Sequence, residues 1–274
     1  MDGALGGRPG AHSARVLDHG ARRAAHLARV VDLAQTLPAD AVISHESAAL
    51  VHGLPTYDVP AAVRVTHPSG RAMRTSDLHV HRASLRPQDR RIVDGIPVTS
   101  PARTVVDLGR WLPFGAALVT ADAALRAGTA RGQLQDVLRH QWTWPRVRRA
   151  MPVVRFADGR SESALESFVR SRFITLHLPL PKLQRNVFGE HGWVARVDFL
   201  FTAYGVAGEA DGKVKYLGEE LWTEKQRQDA SEDAGIEVIR WIWRTAHAPD
   251  EEFARRLLRK LDRGLMLRRL REAG

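Results

Sequence analysis

The run Val197-Asp198-Phe199-Leu200-Phe201 places one carboxylate inside an otherwise apolar, strand-forming stretch. Burying that charge is costly unless it is paired or binds a cation, so any fold for this chain must bring a partner to Asp198. Further along, Glu209 and Asp211 stand two apart at the end of the next apolar run. Side chains alternate along a strand, so these two acids share a face, and Lys213 continues the line if the strand extends. Glu166 follows Glu162 by four positions in a segment of helical spacing, which puts both on one helix face. If the strands that carry Asp198 and Glu209 are neighbours, the two carboxylates converge on a hard divalent cation such as magnesium or manganese. Such an ion activates a water and stabilises charge on a scissile phosphate. The same acids have a plainer reading, an ion-pair cluster with Arg196, Arg240 or Lys213.

Around these residues the pattern predicts an α+β chain. A disordered lead is expected over 1–18. A mixed domain of helices and short strands over 19–143 follows, with helices at Ala21–Leu37, around Ala48–Leu50, from Ser100-Pro101 onward, at Phe114–Ala127 and at Arg131–His140. Extended segments fall at Val63–His67, Leu78–Arg82 and Ile92–Val98, the last turned tightly at Asp94-Gly95. Residues 144–160, with Pro145, Pro152 and a run of arginines, read as a connector. From 161 to 274 the order is α-β-β-β-α-β-α: a helix from Ser161, strands at Leu183–Phe188, Trp193–Phe201 and Val206–Asp211, a helix at Glu219–Asp233, a strand within Ile236–Trp243 and a closing helix at Pro249–Arg269.

Composition narrows the chemistry. With no cysteine, disulfides, thiolate zinc sites and thiol catalysis are out. His79 and His81 share a strand face, but without a third ligand nearby they do not predict a zinc site, and His45 and His52 are expected to cap or line the small helix. No apolar run approaches the roughly 20 residues that span a bilayer, and the N-terminus lacks a signal pattern, so a cytoplasmic location is expected. The chain carries a formal excess of +10. Most of it lies in residues 1–150, which fits a polyanionic partner such as DNA and equally fits the arginine usage of a GC-rich genome. Arg146, Arg148 and Arg149, grouped in the connector, are the best placed to contact phosphate.

Two resemblances add to this reading. Ser161-Glu162-Ser163 with Glu166, Arg196-Val197-Asp198-Phe199, Glu209-Ala210-Asp211-Gly212-Lys213, Glu224-Lys225-Gln226-Arg227 and Gly235 through Arg240-Trp241 together resemble a PD-(D/E)xK nuclease domain. The likeness is to the kind shared by very-short-patch-repair-like endonucleases and the domain of unknown function 559. It implies a restriction-endonuclease-like αβββαβ domain, Asp198 and Glu209 as metal ligands, Glu166 and Asp211 as supporting acids, and a catalytic lysine at Lys213 or Lys225. The usual acid-x-Lys is here acid-x-acid, since Asp211 stands two after Glu209. The first half is similar to the antitoxins of type IV toxin–antitoxin systems named AbiEi. The likeness rests on Val42-Ile43-Ser44-His45-Glu46-Ser47-Ala48-Ala49-Leu50 with His52-Gly53-Leu54-Pro55, and on Ile96-Pro97-Val98-Thr99-Ser100-Pro101-Ala102-Arg103-Thr104. The expectations are therefore a magnesium-dependent DNA endonuclease or, alternatively, a non-catalytic DNA-binding antitoxin-like regulator with a partner toxin.

Overall fold

The computed structural model describes residues 11–189, 192–211 and 236–273. The chain is α+β and divides into two units. One takes the chain up to Leu112 together with Thr129–Arg155, the other Pro113–Gly128 together with everything from Phe156 onward.

In the first unit, α1 (Ala11–Ala34), β1 (Val42–Ile43), α2 (His45–Val51), β2 (Val63–His67), β3 (Met73–Arg74), β4 (Leu78–Arg82), β5 (Arg90–Val93), β6 (Ile96–Thr99) and α3 (Pro101–Trp111) run in order. The six strands form one sheet ordered β3-β4-β2-β1-β6-β5. β1 is only two residues long, yet it is central, antiparallel to β2 and parallel to β6. The expected turn at Asp94-Gly95 is present, both residues at positive φ (+49° and +79°), and it joins β5 to β6 as a tight antiparallel hairpin. Val30, Ala41, Ile43, Ala48, Val63, Val65 and Val98 form the buried core. Ser100 caps α3 by accepting the Arg103 N–H, with Pro101 pre-set for the first turn.

Three expectations change here. α1 starts at Ala11, inside the stretch expected to be a disordered lead, because Ala- and Arg-rich sequence sustains helix beyond the periodic apolar positions. The expected connector contains a helix, α6 (Val147–Phe156), which accommodates Pro152 and buries Val147, Ala150, Val153 and Val154. It meets α3 where Gly109 lies so close that an added Cβ would stand 3.0 Å from the Ala150 backbone. The helix expected at Phe114–Ala127 exists as α4 (Phe114–Arg126) but belongs with the second unit, while α5 (Arg131–His140) stays with the first.

In the second unit α4 packs on α7 (Ala164–Thr175). Their contact is polar at its centre: the Arg170 guanidinium donates to both oxygens of the buried Asp122 at 2.7 Å, and the Asp158 N–H donates to Asp122 Oδ1. Four strands follow, β7 (Lys182–Gly189), β8 (Gly192–Phe201), β9 (Val206–Ala210) and β10 (Glu237–Trp241), then α8 (Trp243–Ala246) and α9 (Asp250–Ala273). The sheet order is β10-β9-β8-β7, antiparallel except that β10 runs parallel to β9. Leu165, Val169, Phe173, Phe199, Phe201, Trp241, Phe253 and Leu257 make the core. Trp241 is fully buried against Gly208, where an added Cβ would stand 2.7 Å from the indole. The helix expected at 219–233 lies outside the described residues. No helix among the described residues is long and apolar enough to cross a membrane.

Candidate functional site

The partner that Asp198 requires is supplied by two amides. Its Oδ2 accepts the Ala210 backbone N–H at 2.8 Å, and its Oδ1 accepts the Gln184 side-chain amide at 2.9 Å. The same Gln184 nitrogen donates its second hydrogen to Glu166 Oε2, also at 2.9 Å. One amide thus ties two carboxylates together, one from α7 and one from β8. Glu166 itself sits in the first turn of α7, where Ser163 caps its N–H and Glu166 Oε2 also accepts the Glu162 N–H.

Gln184 carries the geometry. Its φ is +50°, a left-handed conformation that is rare for a side-chain-bearing residue within a strand. The β7–β8 pairing runs Leu183↔Phe199 and Arg185↔Val197, and omits the Gln184–Asp198 pair. The backbone turns there and the amide reaches both acids. Strain of this kind persists only where the surroundings over-determine it, and it concentrates at functional sites. Nothing in the sequence marked Gln184; a glutamine between Leu183 and Arg185 reads as the polar side of a strand.

Burial pushes the Asp198 carboxyl up to about 6, and the charges of Glu166 and Glu209 act in the same direction. A carboxylate so placed either holds a proton close to neutral pH or welcomes a cation.

Glu209 and Asp211 do not complete that arrangement. The Arg240 guanidinium, on neighbouring β10, donates to Glu209 at 3.0 Å and lies 3.9 Å from Asp211. The parallel register Arg240↔Glu209 places these side chains next to each other. Of the two acids expected to share one metal ion, Glu209 is engaged by the arginine, as in the plainer ion-pair reading, while Asp198 is held by two amides; among the described residues no three acids or histidines gather to hold a metal. Lys213 and Lys225 lie outside the described residues. Arg196 pairs with Glu162 at the exposed rim.

The arginines expected to grip DNA are exposed and two of them hold the fold. The Arg146 guanidinium stacks on the Trp111 ring at 4.2 Å, and Arg149 donates to the Leu112 carbonyl beyond the end of α3. Arg148 is exposed. Deeper in the first unit, Arg103 is fully buried and donates to Asp107 (2.7 Å), Asp89 (3.1 Å) and the Ser84 carbonyl (3.0 Å). Burial opposes ionisation of Asp107, yet Arg103, His45 and Arg110 together hold it below the usual carboxylate range.

Comparison with known proteins gives two findings. Residues 40–153 match the AbiEi antitoxin C-terminal domain family, a span that ends before Glu166, the first of the carboxylates. Two proteins of Mycobacterium tuberculosis, the uncharacterized proteins Rv2248 of strain H37Rv and MT2308 of strain CDC 1551 / Oshkosh, are each 32% identical to the chain over 243 residues. The alignment covers 88% of the chain and 88% of either relative.

Proposed function

The chain belongs to one family with these two mycobacterial proteins, and from the AbiEi-type domain it carries we propose that it acts as an antitoxin-like regulator, binding a partner toxin or DNA. The observation that carries this reading is the match over 40–153. That span takes in all six strands of the first sheet together with α2, α3 and α5. A regulator of this kind needs a rigid, polar-faced scaffold more than a reactive centre. The Arg103–Asp89–Asp107 network supplies rigidity, since every charge in it is paired and buried. Expression of a neighbouring nucleotidyltransferase-type toxin, alone and with the full chain, tests the proposal. Growth arrest relieved by co-expression supports it; unrelieved arrest, with neither the toxin nor promoter DNA retained by the purified protein, refutes it.

A second reading has its own observation, the Gln184 clamp on Glu166 and Asp198. Here the second unit would hydrolyse DNA phosphodiesters. Glu166 and Asp198, strained together with like charge, fit a magnesium or manganese ion better than Glu209 does while Arg240 holds it. When bound, the ion would supply an activated water and charge stabilisation. Gln184 would keep both acids aimed at it, and Asp211 would remain at the exposed rim. Plasmid nicking with either metal, lost in Asp198→Asn and Glu166→Gln, supports this reading. Equal nicking by the variants, or none by the wild type, sinks it.

A further inference from the structure

Four buried side-chain atoms that find no hydrogen-bond partner fall in one corner of the first unit: Arg64 Nε, Thr66 Oγ1, His45 Nε2 and His81 Nε2. Among the described residues only three other side-chain atoms are in that position, and they are dispersed. Buried polar groups are almost always satisfied, so four such atoms together mark a place able to hold water or a polar ligand. The topology explains why they meet. β2 and β4 pair in parallel with Arg64↔His79 and Thr66↔His81, and alternation puts the side chains of these four residues on the sheet face opposite Val63 and Val65. His45 opens α2 with φ +52° and stacks on His81, ring centroids 4.0 Å apart. Thr66 is 1% and His45 4% exposed, so these two form the floor. The nearest anion to Arg64 Nε is Glu46, at 3.6 Å.

Toward solvent the corner continues through a tilted aromatic contact. His81 lies 5.6 Å from Trp111, and Trp111 in turn lies under the Arg146 guanidinium at 4.2 Å. Trp111 is 40% exposed, and Arg146, exposed, holds its place through a second left-handed backbone conformation, φ +63°. The cations that act on His79 and His81 are Arg64, Arg74 and Arg110, while Asp107, the anion that acts on His81, is bound by Arg103 and Arg110. The corner therefore offers donors at its floor, the Arg64 guanidinium beside them with Glu46 as its counter-ion, and the Trp111 ring at its mouth.

We propose that this corner binds the terminal phosphate monoester of a nucleotide, free or at the end of a nucleic-acid strand, with the base on Trp111 in the place Arg146 now covers. All four orphans can donate: Arg64 through Nε–H, Thr66 through its hydroxyl, and each neutral imidazole through Nε2–H when its Nδ1 is the acceptor, a role the Ser44 hydroxyl, 2.9 Å from Nδ1, can serve at His45. A monoester presents three free oxygens and about two negative charges, which suits four donors better than the two free oxygens of a diester. For a transition metal the corner supplies two imidazoles and no third ligand, since among the described residues no three acids or histidines gather to hold a metal. The proposal goes beyond the antitoxin reading and does not rest on it. Stacking of bases on tryptophan beside arginine is a general, sequence-tolerant mode of nucleotide binding.

The test is titration calorimetry of the full chain with four probes: 5′-AMP, a 5′-phosphorylated single-stranded oligonucleotide, the same oligonucleotide without the phosphate, and inorganic phosphate. The phosphorylated strand is expected to bind at least tenfold tighter than its unphosphorylated twin. Thr66→Val, which keeps the shape and removes the hydroxyl, weakens phosphorylated probes about tenfold, while Thr66→Ser retains them and controls for folding. Trp111→Leu weakens 5′-AMP and leaves inorganic phosphate unchanged. Equal binding of 5′-AMP and the strand assigns the site to free nucleotides, and tighter binding of the strand assigns it to strand ends; both support the proposal. Failure of every phosphorylated probe to bind, indifference to the terminal phosphate, or Thr66→Val binding as well as Thr66→Ser overturns it.

Discussion

Replacing Asp198 by asparagine removes the one charge that Glu166 and Glu209 both oppose, and the consequence depends on pH in a direction the structure fixes. The folded-state carboxyl titrates at about 6, against 3.8 for the free side chain. Between those values the native protein binds more protons at this site than the unfolded chain, so the site's contribution to stability falls as pH rises. Each pKa unit corresponds to about 1.4 kcal/mol. A shift of roughly two units therefore sets an upper limit of about 3 kcal/mol, and the partial solvent access of the carboxyl brings the expected value to about 2 kcal/mol. The asparagine amide cannot reproduce both accepted bonds, since its nitrogen is a donor that faces either the Ala210 N–H or the Gln184 amide. That mismatch costs about 1 kcal/mol at any pH. Asp198→Asn should thus be destabilised by about 1 kcal/mol at pH 4, and should overtake the wild type by about 1 kcal/mol at pH 7.5. Urea denaturation followed by circular dichroism at both pH values measures the difference. A gap between variant and wild type that stays constant from pH 4 to 7.5 would refute the reasoning, because it would mean that neither burial nor the neighbouring carboxylates raise the titration of Asp198.

Three further outcomes are expected. Arg103→Met leaves Asp89 and Asp107 buried without their shared cation and should cost about 3–5 kcal/mol in denaturant titrations; a loss under about 1 kcal/mol would show that Arg86 and Arg110 alone suffice to hold these acids. Gly208→Ala drives a methyl against the Trp241 ring and the Phe199 Cβ, and should lower stability by about 1–3 kcal/mol, with altered near-ultraviolet circular dichroism from the tryptophan. If the exposed arginines of the first unit bind DNA phosphates, the triple change Arg146→Glu, Arg148→Glu and Arg149→Glu should flatten the slope of log K against log salt by about one for each phosphate no longer neutralised. An unchanged slope removes these residues from the DNA interface.

The sequence was most legible where chemistry leaves one solution. A buried carboxylate in an apolar strand demanded partners, and Asp198 has them; Ser100-Pro101 and Asp94-Gly95 produced the cap and the turn their residue types dictate. It was least legible where tertiary context decides. Val42-Ile43 is too short to register as a strand, yet it is the centre of a sheet because β2 and β6 flank it. Gln184 gained its place through a backbone conformation that no residue type announces. Glu209 was grouped with Asp198 through the expected pairing of their strands, which the sheet has, but the parallel neighbour β10 brought Arg240 beside it. His45 and His81, read as helix-lining and strand-face residues, became stacked partners through a pairing of β2 and β4 that spacing alone does not reveal.

The placement of α4 has a consequence for how such a chain can be inherited. Residues 113–128 serve the second unit while chain on either side of them serves the first, so the polypeptide passes between units three times. No single break point separates the two. A gene fragment ending at residue 153, where the antitoxin-type match stops, would carry Asp122 and the buried alanines of α4 without Arg170 and α7. Recombination that swaps modules at their ends would strand that helix each time. The two halves are thus expected to travel through genomes together and to change in step, an arrangement more like a single gene's interlocked parts than two modules joined in series.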